Sequence, residues 1–218
     1  MLDSGIIRKS NSEWRSLVVM VKKSNGEFRF AVDYRKLNSV TKPTFFPIIR
    51  FGDVVDSIRK AQARLFSILD CASGFWQIGM HEETKHKAAF ISQEGVFEWE
   101  RMPFGLSNAP MSFQMVVTDI LRDMNYEYVL VYIDDIIIFS KNFDQHLEHL
   151  SNVFQKLSDA GIPLKPSKCK FSCEKVKYLG HIISAKGIEV CQRIKPRHNH
   201  KPPLTNMPIE QPFFSHAH

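Results

Sequence analysis

Residues 128–140 read YVLVYIDDIIIFS, two runs of apolar, β-favouring residues around an adjacent pair of aspartates, Asp134 and Asp135. Few arrangements constrain a chain so tightly. The branched and aromatic residues on either side suit buried strands, so the segment reads as strand, turn, strand. Like charges side by side repel, and a partly buried carboxylate with no partner takes up a proton instead. A tight turn is one explanation. Two-residue hairpin turns do favour Asp, but usually with Gly second, because that position often needs a positive φ. A hard divalent cation is the other, since carboxylate oxygens are the ligands magnesium and manganese take. On this stretch alone both stay open.

A second apolar strand, Leu65 to Leu69, runs directly into Asp70. Taken singly, Asp70 could equally cap a strand end. If its strand lies beside the Asp134–Asp135 hairpin in one sheet, three carboxylates meet at one end. Such a cluster is equipped for two-metal phosphoryl transfer, one ion activating a hydroxyl and the other stabilising the leaving pyrophosphate.

Elsewhere the chain alternates strands and helices without a regular βαβ order, which predicts an α+β fold around an antiparallel sheet. Leu17–Val21 and Phe28–Val32 read as a hairpin with a basic, Gly-containing tip. Pro43 and Pro47 hold TKPTFFPII extended. Apolar spacing predicts a helix over Val54–Ala63. Ala88–Ile91 and Val96–Trp99 read as a hairpin around Gly95. Pro110 suits the first turn of a helix running to about Met124, with Asn108 or Ser107 at its cap. Asp144 is expected to cap a further helix, with Leu147, Leu150, Phe154 and Leu157 as its apolar face and Gly161 as its stop. Lys177–Ile183 and Gly187–Val190 read as a last hairpin. Residues 191–218, rich in Pro and His and without periodicity, read as a disordered tail.

The length, 218 residues with 44% hydrophobic, supports one sizeable core. The net charge of +6 suits a polyanionic partner without demanding one. No apolar run reaches the roughly 20 residues of a membrane helix, and MLDSGIIRKSNSEW lacks the apolar core of a signal peptide. Four cysteines in a chain of this length do not form a disulfide framework. These features predict an intracellular protein, cytoplasmic or nuclear. Cys169 and Cys173, spaced C-x3-C with His181 beyond, lack the regular four-ligand spacing of zinc and read as buried thiols.

Five blocks, in order, carry a family resemblance. YIDD at 132–135 resembles the YxDD box of reverse transcriptases, and FSILDCASGFWQI at 66–78 the strand bearing their first catalytic aspartate. RMPFGLSNAPMSFQ at 101–114 is similar to the MPFGLxNAPxxFQ segment of gypsy-type long-terminal-repeat retrotransposons. FRFAVDYRKLN at 28–38 resembles their fingers motif, and YLGHIISAKGIEV at 178–190 their primer-grip hairpin. The set covers roughly residues 1–190.

The resemblance implies an RNA-directed DNA polymerase with fingers at about 1–45 and 79–102 and a palm at about 46–78 and 103–190. It puts Asp70, Asp134 and Asp135 on the catalytic, metal-binding positions, with magnesium as cofactor and manganese as a substitute. Lys22 and Arg29 fall on the basic positions that meet the incoming triphosphate; the general fate of such residues is a solvated surface. Phe75 falls beneath the nucleotide sugar, with core packing as its other reading. Phe75 and Trp76 point opposite ways if extended. Phe104 and Gly105 line the nucleotide pocket, Phe104 in a packing role. Tyr132, Lys168 and Gly180 lie toward primer and template; Lys168, like Lys170 in PSKCKF, touches phosphate or is simply solvated. The implied partners are an RNA or DNA template with its primer, deoxynucleoside triphosphates, and the remainder of a polyprotein with ribonuclease H and integrase. No thumb is recognisable, and earlier fingers residues are missing, so the chain is expected to be a fragment that grips a duplex weakly. Two alternatives differ in class: an inactive remnant that only binds nucleic acid, and an unrelated magnesium-dependent phosphotransfer enzyme on a palm-like sheet.

Overall fold

The computed structural model describes residues 1–22, 26, 28–72 and 74–190. The expected basic tip at Lys23–Asn25, the side chain of Arg29 and the tail at 191–218 lie outside the described residues.

A central four-stranded antiparallel sheet is built from the strands that flank the aspartates. It contains β4 (Leu65–Asp70), β7 (Val129–Tyr132), β8 (Asp135–Ser140) and β9 (Lys170–Cys173), in the order β7-β8-β4-β9. Ile136, Ile137, Ile138 and Phe139 are all fully buried, so β8 needs cover on both faces. On one face lie α4 (Ala109–Ile120) and α5 (Phe143–Asp159), whose Phe113, Val117, Leu150, Val153 and Leu157 pack on Leu69, Val131, Ile136 and Ile138. On the other lie α2 (Phe51–Lys60) and a three-stranded meander, β10 (Lys175–Tyr178), β11 (His181–Ser184) and β12 (Gly187–Val190). There Val54, Ile58, Val176, Tyr178 and Ile183 pack on Phe66, Ile68, Ile137 and Phe139. Each such side chain contributes about 1.5–3 kcal/mol on burial, so the two layers hold β4 and β8 in place.

A second sheet, in the order β1-β6-β5-β2-β3, comprises β1 (Ile7–Lys9), β2 (Ser16–Lys22), β3 (Phe28–Asp33), β5 (Phe90–Ser92) and β6 (Gly95–Trp99). All its pairings are antiparallel except β2–β5, which is parallel. Two short helices, α1 (Arg35–Val40) and α3 (Glu82–Lys85), lie on the connections. Tyr34, buried at the end of β3, donates its hydroxyl hydrogen to the Ala88 carbonyl at 2.8 Å. Its core is aromatic: Phe30, Phe90 and Trp99 meet with centroids 5.4–6.3 Å apart.

Several local expectations shift. The helix expected at Val54–Ala63 starts at Phe51 and ends at Lys60, because Gln62 turns left-handed, with φ +48. The cap of α5 is Asn142, not Asp144: its side chain accepts the Gln145 N–H at 2.9 Å. On α5 the buried positions are His146, Leu150, Val153 and Leu157, whereas Leu147 and Phe154 are exposed. The last hairpin is a three-stranded meander, split where Leu179 (φ +48) and Gly180 (φ +79) form a tight turn. Helix α4 stops at Ile120 and passes into a 3-10 turn, Arg122–Met124.

Candidate active site

The hairpin β7–β8 turns on two residues, Ile133 and Asp134, between the paired Tyr132 and Asp135. The turn is therefore offset by one from the aspartate pair, and Asp135 is the first residue of β8. Ile133 sits at φ +52, which costs a β-branched residue about 1–2 kcal/mol. Gln114 of α4, buried to 3% exposure, holds it there. The Ile133 N–H donates to Gln114 Oε1 at 2.5 Å, while Nε2 donates to the Val131 carbonyl at 3.1 Å and to Thr118 Oγ1 at 2.9 Å. One amide thus fixes both sides of the turn that carries the aspartates. Sequence reasoning assigned Gln114 no role, although it closes the quoted segment RMPFGLSNAPMSFQ.

Strand β4 pairs with β8 in a register that sets Asp70 directly opposite Asp135. Asp70, Asp134 and Asp135 therefore share one end of the sheet, the condition on which the two strands bring three carboxylates together. Asp134 is exposed at the turn, and partial desolvation there, followed by repulsion from Asp70, pushes its carboxyl above the usual carboxylate range. The same causes act on Asp135, with Asp134 adding its own repulsion. Lys168 opposes both shifts: its ammonium donates to both Asp70 oxygens, at 3.1 and 2.9 Å. Lys168 stays largely exposed while it pairs with this carboxylate.

The donor set suits a hard divalent cation, being three carboxylates with one already drawing a cation. Among the described residues, however, no three His, Cys, Asp or Glu side chains stand at the spacing one ion needs. The side chains would have to turn, and Lys168 withdraw, to close a shell. Tyr178 is buried beside this cluster; burial and the charge of Asp135 raise its hydroxyl above the phenol range. Cys71, the residue after Asp70, is pushed up to about 12 by burial and the neighbouring carboxylates, and is an inert thiol. Cys169 and Cys173 are half-buried rather than buried, each donating its thiol hydrogen to a nearby carbonyl, of Lys165 and Phe171 respectively.

Beside the cluster, Gly74–Gln77 form a 3-10 turn rather than an extended run. Phe75 points inward, 8% exposed, with its ring 5.0 Å from Phe104 and 5.8 Å from Phe113. Phe104 also meets Trp76 edge-on at 5.9 Å and remains partly exposed. Gly105 has φ +99, and a Cβ there would stand 3.4 Å from both Tyr34 Cδ2 and the Val32 carbonyl oxygen. Asn38 pins this loop, donating to the Gly105 carbonyl and accepting the Ser107 N–H. Asn108, at the N-cap of α4, uses its side chain not for the helix but to bond Thr44 N–H and the Lys42 carbonyl. Lys22 ends β2 with its side chain exposed, in a different sheet from the carboxylates. Tyr132 is half-buried opposite Asp135, and Gly180 lies in the β10–β11 turn.

Carboxylates at the end of an antiparallel sheet, backed by helices and adjoined by a second sheet, define a polymerase-type palm. The reverse transcriptase (RNA-dependent DNA polymerase) family profile matches residues 21–183, and the chain belongs to that family. It is 42% identical over 194 residues to the retrovirus-related Pol polyprotein from transposon 297 of Drosophila melanogaster, covering 87% of this chain and 18% of that protein. It is 37% identical over 191 residues to the transposon Tf2-3 polyprotein of Schizosaccharomyces pombe, covering 88% of this chain and 14% of that one. Among solved structures, the foamy viral protease-reverse transcriptase in complex with an RNA/DNA hybrid superposes with TM-score 0.77 at 25% identity, over 87% of this chain and 25% of that one. The native prototype foamy virus protease-reverse transcriptase gives 0.72 at 28% identity, over 84% and 24%. The chain thus spans about a fifth or less of the length of these two polyproteins. Among the described residues, no helix is long and apolar enough to cross a membrane.

Proposed function

We propose that this chain carries the fingers and palm of an RNA-directed DNA polymerase and joins deoxynucleotides to a primer 3′-hydroxyl along an RNA or DNA template. The register of Asp70 against Asp135, with Asp134 in the adjoining turn, carries this reading. These three carboxylates would hold magnesium, or manganese in its place, which would supply a lowered pKa for the attacking hydroxyl and charge neutralisation for the triphosphate. Asp134 and Asp135 hold their place through Gln114, and Lys168 keeps Asp70 neutralised until it is displaced.

Lys22 and Arg29, on the hairpin β2–β3, are the proposed partners of the triphosphate, where charge-assisted bonds are strongest. Phe75 and Phe104 form one wall of the nucleotide pocket, and Gly105 lets the 101–110 loop approach Tyr34 closely. Tyr132, Gly180 and Lys168 line the path of primer and template. Residues 1–45 and 79–102 form the fingers, and 46–78 and 103–190 the palm. The chain acts as part of a longer polyprotein with ribonuclease H and integrase.

Primer extension on a poly(A) template with an oligo(dT) primer tests the reading. Template-dependent incorporation by the wild type, lost in Asp134→Asn, is expected. Equal incorporation by the two proteins refutes it.

A further inference from the structure

Away from the aspartates, α2 and the β11–β12 turn wall a cleft of about 790 Å³. Arg59 and Arg64 line it from the end of α2 and the start of β4, Lys141 from the end of β8, and Lys186 from the β11–β12 turn. All four are exposed. Among the described residues no carboxylate lines the cleft, and none of the four cations takes part in an ion pair. By contrast Lys60, next to Arg59 on α2, pairs with Glu127, and elsewhere Arg122 and Lys156 pair with Asp119 and Asp123. Four like charges gathered without counter-charge repel one another, and a polyanion relieves that repulsion.

The same wall carries Phe51 and His181, stacked with centroids 3.9 Å apart and planes 26° from parallel. Both are partly exposed. A basic groove with an aromatic platform on its side is the equipment for a single nucleic-acid strand: phosphates follow the cations and a base lies on the ring. The cleft is separate from the carboxylates. Arg64 and Lys141 flank the Leu65–Ser140 end of the β4–β8 ladder, and Asp70 and Asp135 close the other. Five residue steps separate the two ends, about 17 Å along a strand.

We propose that this cleft binds a single-stranded nucleic-acid segment at a site distinct from the carboxylate centre. The inference rests on the polymerase reading for its choice of nucleic acid over other polyanions.

The test is fluorescence anisotropy of labelled oligo(dT) of roughly 12 nucleotides across a salt series. The proteins are the wild type, a variant with Arg59, Arg64, Lys141 and Lys186 all changed to Ser, and Phe51→Leu. The four cations are exposed and unpaired, so the variant should keep its fold, checked by its melting temperature; Arg64→Gln with Lys141→Gln is the milder companion. The four-fold variant should bind at least about tenfold more weakly, and its log affinity–log salt slope should flatten by up to about 3. Phe51→Leu should weaken binding with the slope unchanged. Unchanged affinity and slope in both charge variants overturn the inference. So does poly-glutamate binding that matches oligo(dT) and ignores Phe51→Leu, since that marks a site for an acidic protein segment. Asp70→Asn keeps the two readings apart: it should abolish extension and leave oligo(dT) binding intact. Extension without cleft-dependent binding sinks only this proposal; cleft-dependent binding without extension sinks only the polymerase reading.

Discussion

Replacing Gln114 by Leu removes an amide and keeps nearly the same volume. The Ile133 N–H and the Val131 carbonyl lose their side-chain partner in a place where Gln114 itself is 3% exposed. A buried polar group left without a partner costs about 1–3 kcal/mol, and two together about 2–6 kcal/mol. The more apolar Leu recovers part of this, for a net loss of about 3 kcal/mol. In a chain of this size that lowers Tm by roughly 6–12 °C. The turn also loses the contact that stabilises Ile133 at φ +52, and a shift of about 1 Å in catalytic groups can cost about 100-fold in rate. The assay pairs thermal unfolding by circular dichroism with single-nucleotide incorporation below both midpoints. A Tm change under about 2 °C, or incorporation within about twofold of wild type, would refute the view that Gln114 holds the aspartate turn.

Asp135→Asn should raise Tm at neutral pH, although it removes a proposed metal ligand. Burial and repulsion raise the folded-state pKa of this carboxyl, so folding binds a proton and stability falls as pH rises from the ordinary carboxylate range through the raised value. The gain should vanish in acid, where both proteins are uncharged at this position; an equal or lower Tm at pH 7 contradicts the charge argument. Gly105→Ala places a Cβ at φ +99, within 3.4 Å of Tyr34 and Val32. It should cost about 1–2 kcal/mol and be visible as a melting shift, with no shift as the contrary result. Lys168→Met should change stability by less than about 1 kcal/mol, since its pair with Asp70 is partly solvated. The magnesium concentration for half-maximal incorporation should fall by up to about fivefold, the worth of such a pair; an increase would show that Lys168 assists rather than competes.

What the sequence revealed and what it hid follow from how far apart the partners lie. Strands β7 and β8 were legible because four consecutive apolar residues in β8 can be satisfied only by cover on both faces, which the structure provides. The two-residue turn is offset by one from the aspartate pair, and Ile133, not Asp134, takes the positive φ. Helix α5 was misread because the apolar pattern favours Leu147 and Phe154 over His146. His146 is buried because Ser67 Oγ meets its Nε2 at 2.7 Å and Ser140 Oγ its Nδ1 at 2.8 Å. These partners lie on β4 and β8, and no helical period displays them. Phe75 and Trp76 point opposite ways only if extended; the chain instead coils into a 3-10 turn, yet the two rings still enter different cores, Phe75 beside Phe113 and Trp76 beside Trp99. Gln114, and the partner that Lys168 takes, escaped notice for the same reason. One meets a backbone amide 19 positions away, the other a carboxylate 98 positions away.

The central claim is that Asp70, Asp134 and Asp135 together form a divalent-metal centre. Titrating Mn²⁺ into the protein while following the free-ion electron paramagnetic resonance signal measures this without requiring turnover. The wild type should withdraw Mn²⁺ from solution, and a variant with all three aspartates changed to Asn should lose that binding while remaining folded. Superimposable titrations for the two proteins would contradict the account.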